Sequence, residues 1–283
     1  MRILLLLFTV IYCITAHSQT EPVQEVFDEI VVSSNRTENL LIDDYKNIEI
    51  ITKEAIESAA VSSLFELLQS VAGLDVRERG VHGVQADLSL RGSTFEQVLV
   101  LINGIRMSDP QTGHHSAYIP VDLKDIERIE IVKGSAARIY GQNAFAGAIN
   151  IITKEKIKNQ ASIGLQYGEN NLYGLRASAQ VQNGNSNHLL SLSRNNSDGY
   201  RFNSDYNIDN IFYQGNLKTN KVDYQLMGGF TNKRFGANGF YASPDFVDQY
   251  EKVQTSIVSL GAKYKFNKGF IQSRAYWRRN QDD

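Results

Sequence analysis

Beyond Ala161 the chain places an apolar side chain at every second position, and nothing else in it limits the possible folds so sharply. Ala161, Ile163, Leu165 and Tyr167 alternate with Ser162, Gly164, Gln166 and Gly168. Tyr173, Leu175, Ala177, Ala179 and Val181 alternate with Gly174, Arg176, Ser178, Gln180 and Gln182. The pattern continues through Leu190 and Leu192, through Ile211 to Leu217, Val222 to Phe230 and Val258 to Phe266, and ends with Ile271, Ala275 and Trp277. Period two is the geometry of a β-strand, whose successive side chains point to opposite faces. A soluble half-buried sheet and a membrane barrel share this alternation. Two features favour the barrel. The second face is wettable on every strand, as a polar lumen requires. The connections also alternate in length: Asn183-Gly184-Asn185-Ser186, Thr219-Asn220 and Asn267-Lys268-Gly269 are tight, whereas 195–207 and 233–252 are long, with 168–171 the short exception on the long side. The residues after Lys154 suffice for about seven strands at about ten residues each.

The start of the chain is an address. Met1-Arg2 precedes an apolar run from Ile3 to Ile14, and Ala16-His17-Ser18 supplies a small-x-small cleavage pattern, so residues 1–18 read as a secretory signal with Gln19 as the mature N-terminus. The run is shorter than the roughly twenty residues a membrane helix needs. The single cysteine, Cys13, falls within this leader, which excludes a disulfide framework and a thiolate metal cluster from the exported part. With 29 Lys+Arg against 31 Asp+Glu, no strong field exists for nucleic acid. With no apolar run long enough for a helical span, membrane residence requires β structure.

Residues 19–46 form an acidic tail interrupted by Ile30-Val31-Val32. A short β-branched peptide in a polar tail suits strand addition to a partner's sheet, and equally suits an edge strand of the domain that follows. That domain, residues 47–154, reads as a small α/β unit. A strand at 47–51 leads to a short helix at 52–58 and a second helix opened by Ser63 and Glu66 as a capping box, with Gly73 as its C′ residue. Short strands follow at 74–77, 87–91, 97–102, 126–133 and 148–153.

No catalytic constellation is present, and the chain does not read as an enzyme. Gly80-Val81-His82-Gly83 and Gly141-Gln142-Asn143 lack phosphate-loop or dinucleotide spacing, and Arg91-Gly92-Ser93-Thr94-Phe95 is not a nucleophile elbow. Adjacent His114 and His115 read as loop residues rather than metal ligands. Asp198, Asp205 and Asp209 offer oxygen ligands for calcium without fixed spacing, and read as surface acidity. No metal and no cofactor is expected.

The order of segments resembles a TonB-dependent outer-membrane receptor. Asp28-Glu29-Ile30-Val31-Val32-Ser33-Ser34 is similar to the family's TonB box. Leu88-Ser89-Leu90-Arg91-Gly92, Val98-Leu99-Val100-Leu101-Ile102-Asn103-Gly104-Ile105-Arg106, Ile126-Glu127-Arg128-Ile129-Glu130-Ile131-Val132-Lys133-Gly134 and the run from Tyr140-Gly141-Gln142-Asn143 to Ile151-Ile152-Thr153 resemble successive plug-domain signatures, closest in look to the cobalamin-transporter branch. The resemblance implies an α+β plug domain followed by antiparallel transmembrane β-barrel strands, here about seven of about 22 in a barrel whose lumen is blocked. It implies a scarce large ligand, of cobalamin, iron-siderophore or haem type, bound between plug apical loops and outer barrel loops. It further implies a monomer seated in outer-membrane lipid and driven by TonB with its inner-membrane energising proteins, with Asp28, Glu29, Ile30, Val31, Val32 and Ser33 pairing with TonB as an added strand. The outward-facing loop 107–118 is expected to supply ligand contacts through Asp109, Gln111, His114, His115 and Tyr118, and the loop 235–250 through Phe240 and Tyr241.

An open set of about seven strands leaves two unpaired edges in lipid, so residues 155–283 read as the first part of a barrel and the chain as the N-terminal part of a longer receptor. The competing readings are an exported soluble binding module, a truncated receptor fragment without transport, and a signalling receptor. The last is disfavoured because a signalling role needs a folded domain between Gln19 and Asp28. Proline at Val31 removes a backbone N–H and fixes φ. Val31→Pro is therefore expected to leave ligand binding intact and to abolish uptake in a transport assay; normal uptake would remove the pairing strand from the mechanism.

Overall fold

The computed structural model describes residues 31–32, 39–40, 48–109, 112–155, 157–241, 245–267 and 269–282. The leader, most of the tail, Gln111, and Asp28, Glu29, Ile30 and Ser33 lie outside the described residues. Val31–Val32 (β1) and Asn39–Leu40 (β2) are short strands.

The plug follows. Ile48–Thr52 (β3) leads directly into a helix at Lys53–Ser58 (α1), whose N-cap Thr52 accepts from the Ala55 N–H. A second helix, Leu64–Leu68 (α2), starts at Ser63, whose hydroxyl accepts from the Glu66 N–H at 3.1 Å. The return half of the expected capping box is shifted by one residue. Glu66 accepts from the Ser62 N–H at 2.7 Å and the Ser62 hydroxyl at 2.8 Å rather than from Ser63. The helix ends at Leu68, so Gly73, with φ 78°, is not its C′ residue. Gly73 instead turns the chain into the next strand, and its carbonyl accepts from the Arg91 N–H at 2.8 Å.

Leu74–Arg79 (β4) and Gln85–Leu90 (β5) form an antiparallel hairpin. Val98–Ile102 (β6), Ile105–Arg106 (β7), Ile126–Lys133 (β8) and Gly147–Thr153 (β9) complete, with β3, a mixed sheet of order β3-β8-β9-β6-β7. Only β6 and β9 run parallel. A single-turn helix, Ala137–Tyr140 (α3), joins β8 to β9. Every residue of β6 is buried, because Val98, Val100 and Ile102 face one apolar cluster while Leu99 and Leu101 face another with Val132, Tyr140 and Ala148. Burial on both faces explains why this strand reads as an unbroken apolar run rather than an alternation. Gly147 admits the close pairing of β8 and β9: a Cβ there would run into the Val132 carbonyl and Leu90.

Seven antiparallel strands follow in sequence order: Gln160–Tyr167 (β10), Tyr173–Asn183 (β11), Ser186–Ser197 (β12), Tyr206–Lys218 (β13), Val222–Gly236 (β14), Tyr250–Phe266 (β15) and Gly269–Asp282 (β16). The long connections are shorter than expected, at 198–205 and 237–249. The ladders continue past the apolar band into polar residues, which face either the plug or the water beyond lipid. Asp209 accordingly lies in β13, where Arg194 of β12 grips both its carboxylate oxygens at 2.6 and 3.1 Å.

The two faces of this sheet invert the usual order of a soluble protein. The polar side is the buried one: Ser178, Gln180, Ser191, Gln214, Thr231, Thr255 and Ser259 are all buried. Leu189, Phe212, Met227 and Ile257 on the same side join the core of the plug. The apolar side is open, with Ile163, Leu165, Leu190, Ile211, Leu226, Leu260 and Trp277 among its exposed large side chains. An apolar face of this extent on a seven-stranded sheet belongs in lipid. No described helix is long and apolar enough to cross a membrane. Arginine at the mid-membrane outer face of such a barrel costs about 2–4 kcal/mol. Leu260→Arg is therefore expected to reduce recovery of the protein in the membrane fraction; a sheet that stays in water would tolerate it without loss.

Candidate ligand-binding site

Salt bridges and hydrogen bonds fix the plug against the inner face of the strands. Arg176 of β11 binds Asp122 at 2.8 Å and Asp125 at 2.7 Å. Burial raises the Asp125 carboxyl above its usual range despite the arginine beside it. Asn103 donates from its amide to Thr153 at 2.8 Å and to Gln214 of β13 at 3.2 Å, while Arg274 of β16 donates to the Asn103 carbonyl. Gly229 of β14 leaves room for Pro120, which a Cβ would strike.

These contacts present one rim of the plug to the connections 168–172, 198–205 and 237–249, all on the same edge of the sheet. The β4–β5 hairpin forms the centre of this rim. Its turn carries Gly80 at φ 83°, His82 at 53° and Gly83 at 74°, and the first of these lies against Phe240, 3.1 Å from where a Cβ would sit. Arg79 at the end of β4 donates to the Phe240 carbonyl at 2.6 Å and to Asp87 at 2.9 Å, with its guanidinium 5.4 Å from the Tyr241 ring centre. The other oxygen of Asp87 meets His114 Nδ1 at 2.6 Å. His114 stacks on Phe95 at 4.4 Å and meets Tyr241 edge-on at 6.2 Å. Tyr241 donates its hydroxyl to Gln85 at 2.9 Å. Burial, reinforced by Glu251, holds the Tyr241 phenol above its ordinary pKa, so it remains a neutral donor. Of the expected contact residues, His114, Phe240 and Tyr241 therefore converge. Arg79, Gln85 and Asp87 complete the group; their strand positions carry no local signal of a site, and only the hairpin pairing brings them to the rim.

A cleft of about 250 Å³ adjoins this group, between the hairpin turn and the connections after β10 and β12. His82, Glu169, Asn170, Ser197 and Tyr200 are among its walls. His82 Nδ1 lies 3.0 Å from the Ser62 hydroxyl, which also lies 2.8 Å from Glu66. A carboxylate only accepts, so Ser62 gives its proton to Glu66 and His82 Nδ1 carries the hydrogen it donates to Ser62.

The expectation that loop 107–118 faces outward as a whole is corrected for three residues. His115, Tyr118 and the side chain of Asp109 are buried, because the inner faces of β14 and β16 close over this loop. His115 stacks on Tyr118 at 4.8 Å and lies 3.3 Å from the Asn280 amide. Arg278 donates to the Ser108 carbonyl at 3.3 Å and approaches Asp109 at 3.8 Å. Burial lowers the His115 pKa and raises that of Tyr118, so both are neutral. The depressed histidine makes this seam lose stability as pH falls below the ordinary imidazole value, where the unfolded chain binds the proton more readily. Among the described residues, no group of three or more His, Cys, Asp or Glu is placed to hold a metal ion.

A plug whose rim faces long connections, seated on the polar side of lipid-type strands, defines a class. Residues 41–148 match the TonB-dependent Receptor Plug Domain family, and the strands that follow them pair antiparallel in one seven-stranded sheet. Its relatives include the "Vitamin B12 transporter BtuB" of Vibrio vulnificus, 35% identical over 136 residues, covering 48% of this chain and 22% of that protein. The protein of the same name from Photobacterium profundum is 26% identical over 265 residues, covering 90% of this chain and 43% of that one. The chain thus spans less than half the length of these curated relatives. The same fold occurs in the siderophore receptor PiuA from Acinetobacter baumannii, at 18% identity and a TM-score of 0.71, covering 90% of this chain and 39% of that one. It occurs also in the unliganded ferric citrate transporter FecA, at 15% identity and a TM-score of 0.71, covering 90% and 43%. These relatives are transporters and receptors rather than enzymes.

Replacing Asp87 by asparagine removes the anion shared by Arg79 and His114. Asp87→Asn is expected to cost the rim about 1–3 kcal/mol, seen as earlier proteolytic cleavage at the turn 80–84. Unchanged protection there would show that the carboxylate does not organise the rim.

Proposed function

We propose that this chain belongs to an outer-membrane receptor that binds a scarce, large ligand at the plug rim and imports it with energy drawn through TonB. The observation that carries the reading is the inverted sheet, whose polar face is sealed by the plug and whose apolar face is left for lipid. Where such a plug fills the lumen of the barrel, passage of a ligand requires the plug to be remodelled by work from outside the barrel. The segment from Asp28 to Ser33 is the proposed handle, pairing with TonB as an added strand. A cleaved leader at 1–18 accounts for export. The receptor acts as a monomer, without a resident cofactor.

A corrinoid is the proposed ligand, ahead of iron-siderophores and haem. Relatives at 35% identity bear the name of vitamin B12 transporters. The charges at the rim also support it: Arg79 and His114 face two carboxylates, those of Asp87 and Glu251, so the group holds no surplus of fixed positive charge for a strongly anionic chelate. His114, Phe240 and Tyr241 are the proposed contacts, with Gln111 of the same loop as His114.

The test is binding and uptake of cyanocobalamin by cells expressing the receptor from its own gene, against a ferric catecholate as comparator. The expected result is saturable cyanocobalamin binding that persists without TonB, with uptake that stops when TonB is deleted. Saturable binding of the ferric catecholate alone would overturn the corrinoid assignment, and uptake independent of TonB would overturn the mechanism.

A further inference from the structure

Lys233 projects from the inner face of β14 into the plug and is buried. Its register neighbours are Ile208 on β13 and Val253 on β15, both buried and apolar. A long amine in such a layer is not explained by stability, since an apolar side chain of similar volume generally does as well or better in a buried site. Its partners are specific. Nζ donates to the Gly83 carbonyl at 2.7 Å and to the Val84 carbonyl at 3.2 Å. The same nitrogen lies 4.1 Å from the centre of the Tyr118 ring and 6.0 Å from that of Phe65. Among the described residues no carboxylate lies within ion-pair distance of it.

Three separate plug segments therefore meet on one barrel nitrogen: the hairpin turn through Gly83 and Val84, loop 107–118 through Tyr118, and α2 through Phe65. The first two carry the rim described above. The turn also needs an external hold, because His82 occupies the left-handed region that a side chain adopts at a cost. We infer that Lys233 is a positioning residue, which sets the height and orientation of the ligand-facing rim against the barrel wall. Its hold consists of neutral acceptors and a ring face, with no buried opposite charge to strand when it lets go. It can therefore be exchanged when the plug is remodelled, whereas Arg176 with Asp122 and Asp125 forms an anchor that resists release.

The experiment is hydrogen–deuterium exchange on the receptor expressed from its own gene and purified in detergent, comparing wild type, Lys233→Met and Lys233→Arg. Methionine keeps an unbranched apolar stem, one atom shorter, and removes every donor; arginine restores donors. In Lys233→Met, peptides covering 80–88 and 112–118 are expected to exchange about tenfold faster or more, with β6, β8 and β9 unchanged and with partial recovery in Lys233→Arg. Unaltered exchange at 80–88 overturns the inference, and so does uniform loosening of the whole plug, which would make Lys233 a general packing residue. The link to ligand rests on the proposed function and is read separately: Lys233→Met should raise the cyanocobalamin Kd about tenfold while keeping the maximal uptake rate. A wild-type receptor that binds no corrinoid would remove that reading, while the exchange data would still decide the role of Lys233.

Discussion

The structure depends on a sheet whose polar face must be covered and whose apolar face must not. In water the apolar side would drive association, because seven strands expose a continuous band of Ile, Leu, Val and aromatic side chains. In lipid that band is at rest, and the cost moves to the other side. Buried there are the side chains of Ser191, Gln214, Thr231 and Thr255, which need partners or water. The plug supplies partners to part of this face. Thr153 binds Gln214, Asp125 and Asp122 bind Arg176, and the carbonyls of Gly83 and Val84 accept from Lys233.

This arrangement gives the plug a dual surface. Its own core is apolar and two-sided about β6, while the flank that meets the strands mixes apolar patches with charged and amide groups. A purely apolar flank would weld the plug in place, and a purely charged one would leave it adrift in a wet lumen. The observed mixture sets ion pairs at Arg176 and Arg278 beside the neutral carbonyl acceptors that meet Lys233.

Much of the fold was legible in the sequence, and the reason differs from element to element. The alternation after Ala161 identified the outward residues on all seven strands, since period two follows from backbone geometry alone. The plug strands were located to within two or three residues by short apolar runs between turn residues. The capping box was half right: Ser63 caps α2, but Glu66 reaches Ser62, and spacing alone does not separate two adjacent serines. Strand ends were underestimated where polar residues continue the ladder, because a lumen and an outer loop look alike in composition.

The candidate site divides along the same line. His114, Phe240 and Tyr241 were anticipated from loop position, yet their common partners Arg79, Gln85 and Asp87 sit in a hairpin that only its fold brings to the rim. Asp109, His115 and Tyr118 belong to the same loop as His114 but their side chains are buried. Their fate is decided by β14 and β16, with His115 meeting Asn280 across 165 residues of chain. The sequence by itself determined which side of each strand after Ala161 is apolar and where the short plug strands run, because these follow from local periodicity and run length. Only the tertiary structure decided which loop side chains reach the rim and which are sealed beneath it, because burial is set by what packs against a residue and not by its neighbours in the chain.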